Sequence, residues 1–220
     1  MTPRLPSVLS AVDLPLAELQ CAALDGELYA LDQCFCAIDE FETTHLRARA
    51  LGVVLDSRII AERMSAAWVW GAVITPPRRH QLCVAIGART RPHPSLNATL
   101  REVVIASDEI DTVSNVSVTS RLRTALDLLR FSENFSIRET SAVITLMKDG
   151  KLDHATCSDA LSARRNLPQK RVALERLALI PTAAVQTAAM QTAAMQTAAM
   201  QTAAMQTAAM QTAAMQTIAS

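Results

Sequence analysis

The sequence predicts an α+β fold in three parts. A small N-terminal winged-helix-like segment covers residues 1–41. A small, mainly antiparallel sheet packed with helices, with a helical C-terminal part, covers 42–180. A low-complexity tail covers 181–220. Three observations predict this. Residues 116–130, VSVTSRLRTALDLLR, switch from the period of a strand to that of a helix. Short apolar runs bounded by turn residues alternate with helical stripes on both sides of that stretch. Half the chain is apolar, enough for a packed core, yet the last 40 or so residues are a pentapeptide repeat.

Residues 5–12 can form a short helix. Pro15 suits a helix start, and Leu16, Leu19, Ala23 and Leu24 make a helical stripe ending near Asp25-Gly26. Two short strands, 28–30 and 35–38, flank Asp32-Gln33. Helix, turn, helix and hairpin is the order of a winged helix-turn-helix without its third helix. A DNA-reading helix brings basic or amide side chains to base edges, whereas this one offers Glu18, Gln20 and Asp25.

Thr43 or Thr44 can cap a helix running through Leu51. Asp56 and Ser57 can cap another, carrying Ile59, Ile60, Met64, Ala67 and Trp68 and ending near Gly71. Trp68 and Trp70 cannot share a helical face. Trp68 reads as core, and core is the safer reading for Trp70. Strands follow at 81–86, 100–105 and 113–118, with Ser114-Asn115 as a tight turn. In 116–130, Val116 and Val118 alternate with Ser117. Thr119 and Ser120 offer capping oxygens, and Leu122, Ala125, Leu126 and Leu129 form one apolar stripe. Further helices begin at Ser136 or Thr140, at Asp153 and at Gln169, the last carrying Val172, Leu174, Leu177 and Ile180.

From Thr182 the chain reads TAAVQ, then TAAMQ six times, then TIAS. A five-residue period turns an α-helix by about 500°, so the methionines trace no stripe. In a strand they would alternate between faces. The repeat has no amphipathic design and is expected to add nothing to the stability of the fold.

Lys and Arg balance Asp and Glu at 21 each, so no global charge draws the chain to nucleic acid or membrane. Locally the balance is uneven. Residues 1–50 hold three Arg against eight acidic residues, 58–101 hold seven Arg against one Glu, and 164–176 hold five basic residues against one Glu. Such basic stretches serve nucleic acid, an acidic partner or a solvated surface. Cys21, Cys34, Cys36, Cys83 and Cys157 are odd in number and match no zinc spacing. They fit buried thiols in a reducing, cytoplasmic compartment. No signal peptide and no long apolar span is read from the sequence.

No glycine-rich phosphate loop, G-x-S-x-G or H-E-x-x-H motif occurs, and His45, His80, His93 and His154 are isolated. Glu102, Asp108, Glu109 and Asp111 read as a solvated loop after a strand. No catalytic residue, metal ligand or cofactor is assigned.

Three stretches together resemble actinobacterial members of the AbiEi-type antitoxin family of type IV toxin–antitoxin systems. They are LAELQCAALDGELYAL (16–31), RMSAAWVWGA (63–72) and VSVTSRLRTALDLLR (116–130); SARRNLPQKRVALERL (162–177) is similar to the family's C-terminal helices. The resemblance spans about residues 7–180. Its most specific part is Val118, Thr119, Ser120, Arg123, Thr124, Ala125, Asp127 and Leu128, followed by Ser65 to Trp68. It implies a non-enzymatic protein that represses its own operon through a winged-helix domain. It also implies a C-terminal domain that counters a nucleotidyltransferase-like toxin in phage defence. Two features depart from the pattern. The N-terminal segment is short and acidic, and TAAMQ repeats stand where some similar proteins continue into a nuclease domain. Arg78, Arg79, Arg89, Arg91, Arg164 and Arg165 are the candidates for contacting DNA phosphate or an acidic toxin face. The alternatives are a diverged non-catalytic interaction protein and a remnant of a nuclease-linked protein.

Overall fold

The structure, a computed structural model, describes residues 6–88, 90 and 96–182. Its centre is the strand-to-helix unit that the sequence marks most strongly. Strand β7 (Val116–Thr119) buries Val116 and Val118 and leads directly into helix α4 (Arg121–Phe131). The Ser120 hydroxyl accepts from the Arg123 amide at 3.3 Å, as an N-cap should. The Thr124 hydroxyl donates to the Thr119 carbonyl at 2.9 Å and lies 2.7 Å from the Thr119 hydroxyl. Thr119, Ser120 and Thr124 thus lock one strand to one helix.

The described residues 6–12 do not form the helix expected at 5–12. Leu9 instead exchanges two backbone hydrogen bonds of 2.8 Å with Phe35, and the Asp13 carboxylate accepts from the Ser10 amide at 2.9 Å to hold a turn. Helix α1 (Leu16–Leu24) forms as read, but its stripe is not buried: Leu19 is fully covered, whereas Leu16 and Leu24 face solvent. Strands β1 (Leu28–Leu31) and β2 (Cys34–Ala37) make the hairpin, with Asp32 at φ 56° in its turn. Among the described residues this segment is therefore one helix and a hairpin rather than helix, turn, helix and hairpin.

Helix α2 (Thr44–Gly52) is capped by Thr43. The helix expected from Asp56 does not include Ile59 and Ile60. Strand β3 (Ile60–Ala61) occupies that place, antiparallel to β4 (His80–Ala85) and parallel to β7. β-branched Ile60 fits a central strand flanked on both sides, and only α3 (Arg63–Val69) is helical. Arg63 makes the change of direction at φ 47°. Strand β5 (Ala98–Val103) pairs parallel to β4, and β6 (Ile110–Val113) pairs antiparallel to β7. Ser114 and Asn115 close that hairpin at φ 48° and 66°, the left-handed pair a two-residue turn requires.

The five-stranded sheet runs β5-β4-β3-β7-β6. It is mixed rather than mainly antiparallel. The 86–97 connection is long enough for the crossover that parallel neighbours need, so β4 and β5 do not form a hairpin. Helices α5 (Ile137–Asp149), α6 (His154–Ala163) and α7 (Lys170–Ala178) follow, with N-caps Ser136, Asp153 and Gln169. Helix α4 packs against α3, α5, α6 and α7 and is buried on nearly all sides. That is more than the single apolar stripe requires.

Trp68, Leu128, Leu129, Leu146, Met147 and Leu161 form the centre of the core. Trp70 is also buried, and its indole donates to the Thr119 carbonyl at 2.9 Å. Cys34 and Cys36 share the buried face of β2, as their spacing requires, and burial pushes their thiols up to about 12 and about 11. Cys83 and Cys157 are buried and Cys21 is exposed. No described helix is long and apolar enough to cross a membrane. The TAAMQ repeat, beyond residue 182, lies outside the described residues.

Candidate functional site

Among the described residues few charged side chains are buried, and most of those converge on one place. Helix α4 carries Arg123, Asp127 and Arg130 at i, i+4 and i+7, which is one face. Asp127 is fully buried. Its Oδ2 accepts from Arg123 Nε at 2.8 Å and its Oδ1 from Arg130 Nη1 at 3.0 Å. Arg101 reaches across from β5, with Nη2 3.6 Å from Asp127 Oδ2. Its Nε and Nη2 meet the two oxygens of Glu62, each at 2.6 Å. Glu62 follows β3 at the N-cap position of α3, is fully buried, and also takes Arg63 at 3.1 Å. Glu109, in a 3-10 turn before β6, receives Arg123 Nη1 at 2.8 Å, Arg164 Nη2 at 2.6 Å and the Ala106 amide at 3.0 Å.

Removing charges from water is costly, and such a cluster stands only when each ion is paired and hydrogen-bonded. The protonation equilibria show both tendencies. Burial pushes the Asp127 carboxyl up against the pull of Arg123 and Arg130. At Glu109 burial acts in the same direction, but the Ala106 amide and the Arg164 and Arg123 guanidiniums outweigh it and hold the carboxyl below its ordinary value. Burial opposes the charge on Arg123, and the Asp127 and Glu109 carboxylates more than restore it. Arg130 is lowered by burial and by the like charges of Arg123, Arg101 and Arg164, despite Asp127.

The network floors a cleft between β5, α4 and the connection from α6 to α7. One part has a volume of about 570 Å³ and is bounded by Arg101, Phe131 and Pro168, among others. An adjoining part of about 230 Å³ reaches Glu109 and Leu126. Arg123, Arg130, Arg164 and Leu167 line both. The guanidiniums of Arg101 and Arg130 lie 4.7 and 4.3 Å from the Phe131 ring centroid.

A second polar cluster joins the N-terminal hairpin to the sheet. His80 Nε2 is 3.2 Å from both carboxylate oxygens of Asp32, and its Nδ1 is 3.1 Å from the Ser65 hydroxyl. The residue types are those of a nucleophile, a base and an orienting acid. However, Ser65 is fully buried and its oxygen already accepts the Gln81 amide at 2.9 Å. This geometry closes the serine to substrate and ties β1–β2 to β4.

The sequence-derived arginines divide. Arg164 sits on the rim of the cleft, and Arg165 is exposed beside it. Arg78 and Arg79 are exposed before β4 and do not line the cleft. Arg89 and Arg91 lie outside the described residues. Glu109 is not the solvated loop residue the sequence implied, because two arginines enclose it. Arg101, Arg130 and Glu62 carried no motif. The one legible signal was the spacing of Arg123, Asp127 and Arg130 on one helix. No group of three His, Cys, Asp or Glu residues able to hold a metal ion occurs among the described residues.

No protein-family model matches the chain, and no curated protein does. Among solved structures it is similar to the crystal structure of the RV2827C protein from Mycobacterium tuberculosis. The identity is 12%, the TM-score is 0.39, and the match covers 84% of this chain and 76% of that one.

Proposed function

We propose that this chain acts by binding rather than by catalysis, as an AbiEi-like antitoxin and transcriptional regulator of a type IV toxin–antitoxin system. In this reading its partners are its own promoter DNA and a nucleotidyltransferase-like toxin. The observation that carries the reading is the placement of arginine on a chain of zero formal charge. Arg78, Arg79 and Arg165 are exposed and make no ion pair among the described residues, and Arg164 stands at the mouth of the cleft. Guanidinium forks in that setting suit phosphate or carboxylate on a partner.

The test is a gel-shift titration with the protein's own upstream DNA, against scrambled competitor and at two salt concentrations. A specific shift that survives competitor, and weakens in the Arg78→Ala/Arg79→Ala variant, supports the regulator reading. Binding that competitor abolishes removes operator recognition from it. Co-purification with the neighbouring gene product tests the toxin arm.

A second reading, a diverged non-catalytic interaction protein, is supported by the acidic N-terminal segment, where Leu24, Ile38 and Phe41 are exposed. Apolar surface of that kind suits a protein contact better than a DNA backbone. Retention of toxin without any DNA shift favours this alternative.

A further inference from the structure

We propose that the arginine cleft is a binding site for a small phosphate monoester, a nucleoside 5′-monophosphate in chemical class. The inference does not rest on the antitoxin reading.

The argument starts from the hydrogen-bonding capacity left over in the network. Both oxygens of Glu62, of Asp127 and of Glu109 already accept from arginine. The donors are not exhausted. Arg101 uses Nε and Nη2, Arg123 uses Nε and Nη1, and Arg130 uses Nε and Nη1. Each keeps one terminal nitrogen with no partner among the described residues, and none of these three is a buried orphan. They remain available to the cleft. Arg164 is likewise held only through Nη2. For Arg101, Arg123 and Arg130 the unpartnered nitrogen belongs to a side chain whose other two nitrogens are held. This is pre-organisation for an anion: the forks are already oriented, so little side-chain freedom is lost on binding.

The field points the same way. Burial is the main reason Arg130 holds its proton less tightly, and the like charges of Arg123, Arg101 and Arg164 add to it against the pull of Asp127. An anion placed among them relieves that repulsion. Glu102 and Asp108 are exposed residues at the rim, where solvent screens them.

Size selects the ligand class. The larger part, about 570 Å³, lies in the range of small-molecule sites, roughly 300–1,000 Å³. A bare phosphate ion displaces only a few waters of about 30 Å³ each and would leave most of that space empty. The remaining wall includes Val103 and Leu167 and the Phe131 ring, with guanidiniums stacked on it. Guanidinium and aromatic faces are the surfaces on which a nucleobase stacks. One phosphate group facing the arginine floor, with a base against this wall, uses both halves of the site.

The experiment is isothermal titration of the full-length protein with each of the four ribonucleoside 5′-monophosphates. Adenosine, inorganic phosphate and a single-stranded oligonucleotide without terminal phosphate serve as comparators. The expected result is binding of at least one monophosphate with a Kd below about 1 mM, at least roughly tenfold tighter than either adenosine or phosphate. The informative variant is Arg164→Gln. That side chain is 45% exposed, so the substitution leaves the fold intact, as a matching melting curve would show. It should weaken the monophosphate by roughly tenfold, the scale of one charge-assisted hydrogen bond. Saturation by none of the monophosphates at about 10 mM overturns the proposal. So does equal binding of adenosine, or unchanged affinity in Arg164→Gln. Binding of the oligonucleotide alone also overturns it, and would reassign the cleft to a nucleic-acid backbone.

Discussion

Replacing Asp127 with Asn tests whether the charge network holds the fold together. Asp127 is fully buried and accepts one hydrogen bond from each of two arginines whose side chains are only 7% and 6% exposed. Removing one partner of a buried ion pair typically costs about 3–5 kcal/mol, because the remaining charge is left without compensation. Asn keeps the shape and one acceptor oxygen, so it can still serve either Arg123 or Arg130. Glu109 also continues to neutralise Arg123. Both points place the expected loss at the lower end, about 3 kcal/mol. At about 2–4 °C per kcal/mol for a domain of this size, Tm should fall by about 6–12 °C. Thermal and urea melts of the full chain would measure it, with Arg171→Ala as the control. Arg171 is 91% exposed in its pair with Glu175, and its loss should leave the melting curve unchanged. A drop below about 1 kcal/mol for Asp127→Asn would refute the reasoning. It would mean that water solvates these guanidiniums as well as Asp127 does.

Other outcomes follow from the same structure. Trp68→Ala removes the largest fully buried side chain and should destabilise by about 3–5 kcal/mol in urea melts; a loss under about 1 kcal/mol would exclude a core role. Trp70→Phe should cost only about 1 kcal/mol, because the Thr119 carbonyl it releases still accepts from the Thr124 hydroxyl. Asp32→Asn should loosen the hairpin locally. Amide exchange in Cys34–Ala37 would speed up roughly tenfold while the midpoint of global unfolding moves little, and unchanged exchange would show that the His80 contact holds nothing. Glu109 titrates below its ordinary value of 4.5 in the folded protein, so its stabilisation is present above that pH and is lost as the pH falls through the folded value. The Asp127 shift has the opposite sign and works against acid unfolding. Melts between about pH 7 and pH 3 should therefore show a shallower acid limb for Glu109→Gln, and parallel limbs would refute the assignment.

Much of the fold was legible because its cues are local. Ser120, Ser136, Asp153 and Thr43 cap the helices their positions announced. Ser114-Asn115 turns a hairpin because those two residues tolerate the left-handed region. Trp68 is in the core, as a large aromatic side chain in an aromatic-poor chain should be. The misreadings have a common origin. Ile60 fits a helical stripe as well as a strand, and the neighbouring strands β4 and β7 decide between them. Leu16 and Leu24 fit an amphipathic helix, but nothing among the described residues covers them.

The cleft divides in the same way. Sequence alone determined that Arg123, Asp127 and Arg130 lie on one face of a helix, because 3.6-residue periodicity is a property of the backbone. It also determined that the chain is rich in arginine near residues 58–101 and 164–176. Only the tertiary structure decided that Arg101, Glu62, Glu109 and Arg164 complete the group. These four come from a strand, a helix N-cap, a 3-10 turn and an interhelical connection. No local rule fixes distances between such elements. They are set by how the sheet and helices pack, and burial turns scattered charges into one paired network.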